Sequence, residues 1–341
     1  MAPWVTLRPV HDALPTGKLP PALLRELLDA SAALPPEVRL GPHLGEDACA
    51  IEVPGGVLVA ASDPITLTGS GVGAHAVVIN ANDVAVMGVR PRWFLAAVLF
   101  PSGTRADDVR ACFAEMREAL RVADVALVGG HTEVTEAVTQ TVVVGQMLGI
   151  APDGRFVPTG GARPGHAIVQ VGPAPVEGAA VLALEAAARL GALDASVRET
   201  AAAALERPGI SVVAPALRAA ELGATALHDP TEGGLACGLY ELAEASGVRI
   251  ALRDEAVLWF EPGVAVCDAL GADPWGTLAS GALLAAFPEE RAESACRALS
   301  EAAPARVIGR AEAGSGVVRA DGSPLPRFDR DEVARVLEAR G

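Results

Sequence analysis

No Cys-x-x-Cys pair occurs in this sequence: its five cysteines, Cys49, Cys112, Cys237, Cys267 and Cys296, are odd in number and widely scattered. That pattern argues against a disulfide framework and a structural zinc site, leaving the thiols as small core side chains. Long apolar runs are missing as well. The longest charge-free stretch, Pro64 to Asn82, carries a histidine, two asparagines and several glycines, unlike the roughly 20 apolar residues of a membrane helix. The first dozen residues mix proline, arginine, histidine and aspartate and offer no apolar segment for a secretory signal. A cytoplasmic protein with no membrane span is expected. Positive charge is in deficit, 27 Lys and Arg against 42 Asp and Glu for a net −15, so nucleic acid, which demands a basic footprint, is not an expected partner. The Gly-x-Gly-x-x-Gly and Walker phosphate motifs and the Gly-x-Ser-x-Gly elbow are absent. What is present is a foldable chain of 341 residues, 51% hydrophobic and 20% charged, long enough for one large or two medium domains.

Leu23, Leu24, Leu27 and Leu28 recur at helical spacing behind a proline pair, which predicts a helix over 21–33. An aliphatic strand from Val57 to Ser62, a loop with glycines at 69, 71 and 73, and an apolar helix from Ala74 to Met87 follow. Trp93 to Phe100 reads as a strand. Val109, Cys112, Phe113, Met116 and Leu120 share one face of a helix over 107–123. Val125 to Val128 is a short strand running into a Gly129-Gly130-His131-Thr132-Glu133 loop, and Ala137 to Ile150 is long enough for another strand. Between Ala151 and Gly165 the glycines and prolines form the strongest linker signal in the chain, so two domains, 1–156 and 157–341, are expected. The second holds strands at 167–171, 224–227, 248–252, 281–287 and 305–309. Its helices lie near 178–190 and 211–222, with another opening at Gly233-Gly234. Ser62-Asp63-Pro64 and His228-Asp229-Pro230 each end an aliphatic strand and precede a threonine, a glycine loop and an apolar helix. The echo fits either a duplicated unit or chance.

A few carboxylates interrupt apolar or glycine-rich surroundings: Asp47, Asp63, Asp83, Glu133 and Asp229. A buried lone carboxylate costs several kcal/mol unless paired or metal-bound. With few basic residues nearby, the set points to a divalent cation, and oxygen donors without a thiolate or imidazole cluster point to magnesium. Asn80 and Asp83 share a helical face, either as site residues or as polar residues that cap or break that helix. The glycines at 69, 71 and 73 could offer backbone N–H groups to a phosphate or form an ordinary loop. His131 and His228 each adjoin a candidate carboxylate, which suits either proton transfer to a substrate or support of its neighbours.

Five ordered motifs, Gly45-Glu46-Asp47-Ala48, Ser62-Asp63-Pro64, Asn80-Ala81-Asn82-Asp83-Val84-Ala85-Val86-Met87-Gly88, Gly129-Gly130-His131-Thr132-Glu133 and His228-Asp229-Pro230-Thr231-Glu232-Gly233-Gly234-Leu235, resemble the aminoimidazole ribonucleotide (AIR) synthase, or PurM-like, superfamily. Among its branches the chain looks most similar to that of the hydrogenase-maturation protein HypE and its uncharacterised relatives. The resemblance implies an N-terminal α/β domain whose sheet closes a β-barrel with that of a second subunit, a C-terminal α+β domain, and ATP in the cleft beside the homodimer interface. By the same resemblance Asp47, Asp63, Asp83 and Asp229 would hold Mg2+ on the triphosphate. Gly45, Asn80 and the loop of Gly129, Gly130 and Thr132 would line the nucleotide site, and Gly233 and Gly234 would approach the phosphates. His131, Glu133 and His228 would be the catalytic groups. The implied reaction is activation of an amide, carboxylate or similar oxygen at the expense of the γ-phosphate. The alternatives are a thiamine-monophosphate-type kinase, a non-catalytic maturation partner or, less expected, a dehydratase acting on another protein's cysteine. The chain departs from the HypE pattern at its end, Leu337-Glu338-Ala339-Arg340-Gly341, which lacks that branch's terminal cysteine. It departs again at Glu232, where arginine is usual, and at Ala279-Ser280-Gly281, where Asn-Glu-Gly is usual. Lys18 half echoes the cysteine and lysine of selenophosphate synthetase, whose reaction is not expected here.

Overall fold

The computed structural model describes Leu19 and residues 21–29, 34–43, 45–66 and 71–338. Lys18, Gly69 and residues 31–33 of the expected first helix lie outside them. That helix, α1, spans Pro21–Asp29.

The first half builds a seven-stranded sheet from β1 (Val38–Leu40), β2 (Cys49–Val53), β3 (Gly56–Ala61), β4 (Pro64–Ile65), β5 (Pro91–Pro101), β6 (Ala126–Thr135) and β7 (Val142–Ala151), in the order β1-β2-β3-β7-β5-β6 with β4 on β7. Helices α2 (Val72–Ala85) and α3 (Ala106–Ala123) cover one face. Alternation places Val57, Val59, Phe94, Ala96, Val98, Phe100, Val143 and Met147 beneath them. The residues between, among them Leu58, Leu95, Leu99, Val144 and Leu148, stay only half-buried on the other face. β5 and β6 run parallel, joined by α3 as the crossover. The expected Gly129 to Glu133 loop is therefore corrected to strand. Gly130, at φ 142°, lets the β6 backbone approach β5 so closely that a Cβ there would lie 2.0 Å from the Ala96 carbonyl oxygen.

The second half carries a six-stranded sheet from β8 (His166–Val171), β9 (Ala226–His228), β10 (Arg249–Leu252), β11 (Leu283–Pro288), β12 (Ala305–Glu312) and β13 (Gly316–Val318), ordered β13-β10-β12-β8-β11-β9. The near-continuous apolar run of β11 follows from burial on both faces. On one side Ile168 and Leu284 meet Leu235 and Leu239 of α7 (Gly234–Ser246). On the other, Val169, Ala285 and Phe287 meet α6 (Val213–Glu221) and α9 (Glu289–Leu299). Helices α4 (Glu177–Glu185), α5 (Ala195–Ala202), α8 (Glu261–Leu270) and α10 (Glu332–Glu338) form a separate apolar cluster.

Helix α2 ties the halves together. Twelve of its 14 residues are buried, so its polar side chains must find partners within the protein. Asn82, fully buried, donates from Nδ2 to the Ile210 carbonyl at 2.9 Å and accepts from the Val212 N–H at 2.9 Å. Ala85 and Val86 pack into the core beneath α6 and α9. Among the described residues no helix is long and apolar enough to cross a membrane.

Candidate active site

Three of the carboxylates singled out in the sequence, Asp47, Asp63 and Asp229, lie near one another where the two halves meet. Asp63 lies between β3 and β4, and its main chain is fixed by Asn80 one layer above: the Asp63 N–H donates to Asn80 Oδ1 at 2.9 Å, and Asn80 Nδ2 donates to the Asp63 carbonyl at 3.2 Å and to that of Ala76 at 2.9 Å. Gly145 on β7 makes room, since a Cβ there would lie 2.4 Å from Asn80 Nδ2. Asn80 is fully buried and its amide is engaged by backbone groups. Asp83, one turn on, is buried on the same helix.

Asp47 reaches across to the second half. Its Oδ2 lies 2.8 Å from His228 Nδ1, and the other ring nitrogen, Nε2, lies 2.9 Å from Glu241 Oε2 on α7. Burial alone would lower the His228 pKa, but Asp47 and Glu241 outweigh it and hold the imidazole well above the usual histidine value. His228 is 3% exposed with both nitrogens engaged. It forms a clamp between two carboxylates, one from each half. Glu46 beside it is held by the Thr159 and Gly160 N–H groups at 3.2 Å each, and burial raises its pKa. Gly45, at φ 85°, makes the turn that brings this segment against Glu241.

Asp229 follows the clamp and is 2% exposed, with an Oδ2 that has no hydrogen-bond partner among the described residues. Burial, with Asp47 and Asp63 adding charge of the same sign and His228 opposing them, holds its carboxyl well above the usual carboxylate range. A buried, orphaned carboxylate oxygen beside two further carboxylates is the donor chemistry a hard cation satisfies. Yet among the described residues no three His, Cys, Asp or Glu side chains stand close enough to hold an ion by themselves. A cation here therefore needs further oxygens, as Mg2+ does when it bridges one or two carboxylates to phosphates.

The diglycine after Asp229 is tied into the fold. Gly233 donates its N–H to Asp331 Oδ2 at 2.7 Å, and Gly234 donates to the Thr231 carbonyl at 3.0 Å. Both amides are engaged within the chain, and both residues are at positive φ. A Cβ on Gly234 would lie 2.4 Å from the Trp275 carbonyl oxygen. The pair makes the turn into α7 and its close packing. Burial pushes Asp331 up to about 7.

His131, Thr132 and Glu133 stand on the exposed strand β6, with His131 Nε2 3.3 Å from Glu133 Oε2. Neither they nor Gly129 and Gly130 line the cavity of about 80 Å3 beside Asp63, which is bounded by Ile65, Thr66, Ile79, Glu177, Thr231, Glu232 and Ser280. Three larger cavities, of about 610, 510 and 420 Å3, are lined by none of the four aspartates. Glu241, Glu177, Asn82 and Asp331 escaped the sequence reading because each lies in an ordinary helical or loop context. Only the tertiary fold gives them their partners.

This two-domain α/β architecture is that of the AIR synthase related proteins. The model of the N-terminal domain of that family matches residues 45–151 and that of the C-terminal domain residues 163–321, and the chain belongs to the family. Carbamoyl dehydratase HypE of Rhodobacter capsulatus is 33% identical over 309 residues, 87% of each chain. The crystal structure of the hydrogenase maturation protein HypE in complex with ATP aligns over 91% of both chains at 25% identity, TM-score 0.68. Thiamine monophosphate kinase from Aquifex aeolicus shares the fold at TM-score 0.68, with 21% identity over 89% of this chain and 96% of the other.

Proposed function

We propose that this chain is a magnesium-dependent, ATP-using enzyme of the HypE-like, AIR synthase related kind, which transfers or hydrolyses the γ-phosphate to activate an amide, carboxylate or similar oxygen of an acceptor. The observation that carries the reading is the orphaned, buried Oδ2 of Asp229 beside Asp47 and Asp63, and the relationship to ATP-bound HypE supports ATP as the nucleotide. Asp47, Asp63, Asp83 and Asp229 would hold Mg2+, which would supply charge neutralisation between carboxylates and phosphates in an acidic protein. The chain's own residues prepare that site. Asn80 fixes the Asp63 main chain, the His228 clamp fixes Asp47 across the two halves, and Asp331 fixes the turn that follows Asp229. Phosphoryl transfer depends on this kind of positioning and electrostatic stabilisation more than on covalent chemistry.

Homodimerisation belongs to the same reading. The first sheet leaves one apolar face half-buried, and Leu127, Val128 and Val134 on its edge strand β6 are 42%, 54% and 56% exposed. A second copy would cover both. His131 and Glu133, on that strand, would reach a nucleotide only from such an interface. The division at 156/157 is part of the proposal and falls between the two matched family domains.

A small-molecule kinase is the second reading, favoured by the size of the cavity at Asp63, which suits a compact acceptor group. Calorimetric titration of ATP with and without Mg2+, followed by phosphate release, tests the main reading. Absence of binding would put a non-catalytic maturation partner in its place.

A further inference from the structure

Glu177, the first residue of α4, opens onto the cavity beside Asp63 and is not one of the four aspartates assigned to Mg2+. It is buried, and its Oε1 lies 3.9 Å from Nε2 of His75 on α2, a contact that spans the two halves of the molecule. His75 is buried as well, with Nδ1 3.3 Å from the Gly71 carbonyl oxygen. A carbonyl oxygen only accepts, so Nδ1 carries the ring hydrogen, and in the neutral imidazole Nε2 is then a bare acceptor. Burial lowers the His75 pKa, with the Gly71 carbonyl and Glu115 of α3 opposing, and keeps the ring neutral. Nε2 has no hydrogen-bond partner among the described residues.

A buried lone pair repels a charged carboxylate and attracts a protonated one, whose O–H it can accept. The two side chains therefore suit one shared proton, and a shift of about 1 Å would close their gap to hydrogen-bonding distance. Burial also pushes the Glu177 carboxyl up to about 7, with the neighbouring Ser280 opposing the shift and Glu232, on the turn before α7, adding to it. A carboxyl in that range can take a proton at neutral pH. We propose that Glu177 is the group that accepts the acceptor's proton during phosphoryl transfer, with His75 behind it as the positioning residue that receives its O–H once it is protonated. The inference rests on the reading of Asp63 as part of a phosphoryl-transfer site and adds the proton-accepting group to it. In the step, an acceptor oxygen bonds to the γ-phosphorus while the bond from that phosphorus to the β,γ-bridging oxygen breaks, and ADP leaves with the electron pair. The proton lost from the acceptor's O–H, or from the N–H of an amide that attacks through oxygen, passes to Glu177. The cavity, of about 80 Å3, holds an acceptor group of a few heavy atoms between walls that Glu177 and Asp63 share.

Side-chain 15N and 13C NMR of the nucleotide-free full chain reads the pair without turnover. His75 is expected as the neutral Nδ1–H tautomer at neutral pH, with its Nε2 resonance moving at the same midpoint, near 7, as the Glu177 carboxyl carbon. An Nε2–H tautomer, a Glu177 midpoint near the ordinary 4.5, or an Nε2 resonance indifferent to Glu177 overturns the pairing. On the same preparation, calorimetry measures Mg2+-dependent ATP binding, and ADP formation is followed with water, methanol and acetamide as acceptors. Glu177→Gln is expected to bind ATP as the unaltered chain does and to form ADP about a hundredfold more slowly, within the range general acid–base catalysis supplies. Glu177→Asp, which keeps a carboxyl, is expected to recover part of the rate. ADP formation as fast in folded Glu177→Gln as in the unaltered chain overturns the role, as does bound ATP that yields no ADP with any of the three acceptors. Should the variants fail to fold, the unaltered chain decides: a rate that rises with pH through about 7 supports the role and a flat one overturns it. Absence of ATP binding overturns the phosphoryl-transfer reading and the role of Glu177 with it, whereas ATP turnover that ignores Glu177 overturns the inference alone.

Discussion

Asn80 and Asp63 are locked to each other through the backbone of one and the side chain of the other, with the Asp63 N–H on Asn80 Oδ1 at 2.9 Å and Asn80 Nδ2 on the Asp63 carbonyl at 3.2 Å. The pairing fixes where a loop carboxylate stands by anchoring it to the most buried helix of the first half. Asn80→Ala leaves those backbone groups without their partner and should destabilise the fold by about 1–3 kcal/mol. It should also weaken Mg2+-dependent ATP binding in the population that remains folded. Urea unfolding and calorimetry check both, and a folded variant with undiminished ATP affinity would contradict the positioning role.

The His228 clamp holds Asp47 and Glu241 across the two halves. His228→Gln removes the positive charge between two partly buried carboxylates and should cost about 3–5 kcal/mol, the range for breaking a buried ion pair. Because the folded pKa of His228 is raised, its contribution is full below about 6.5 and is lost as pH rises through the folded value. The wild-type chain should lose stability over that rise and the variant should not. Matching urea-unfolding profiles across pH would contradict the clamp.

Glu177 gives a second pH signature. Burial, with Glu232 adding charge of the same sign, pushes its carboxyl from 4.5 up to about 7. Between those values the folded chain holds a proton that the unfolded chain has released, so stability is highest below about 4.5 and falls as pH rises through about 7. The total is on the order of 3 kcal/mol. Glu177→Gln should flatten that part of the profile, and an unaltered slope in the variant would show that Glu177 titrates normally.

The open face of the first sheet predicts association. Sedimentation at micromolar concentration should give a dimer, and Val134→Asp, which places charge on the exposed edge strand, should shift it to monomer with little change in thermal stability. A wild-type chain that sediments as a monomer contradicts the interface.

Much of this was legible in the sequence, and the exceptions have physical reasons. The spacing of Cys112, Met116 and Leu120 marks α3 because only one face of that helix is buried, and the unbroken apolar run of β11 marks a strand covered on both sides. Asp63, Asp83 and Asp229 stood out as carboxylates in apolar surroundings; Asp83 and Asp229 are buried, whereas Asp63 is exposed. Strand β6 read as a loop because adjacent glycines suggest a turn, whereas Gly130 serves a close approach to Ala96. The motif at Gly233 and Gly234 gave no sign of their fold partner, Asp331, nearly a hundred residues on, which accepts the Gly233 N–H at 2.7 Å. Partnerships at such sequence separation leave no local pattern to read.

The central claim is that Asp47, Asp63, Asp83 and Asp229 serve a magnesium-bound nucleotide, and calorimetric titration of ATP into the wild-type chain and into Asp63→Asn and Asp83→Asn, each with and without Mg2+, tests it most directly. The account predicts wild-type binding that depends on Mg2+ and falls at least tenfold in both folded variants. ATP affinity that is the same in all three proteins, or unaffected by Mg2+, would contradict it.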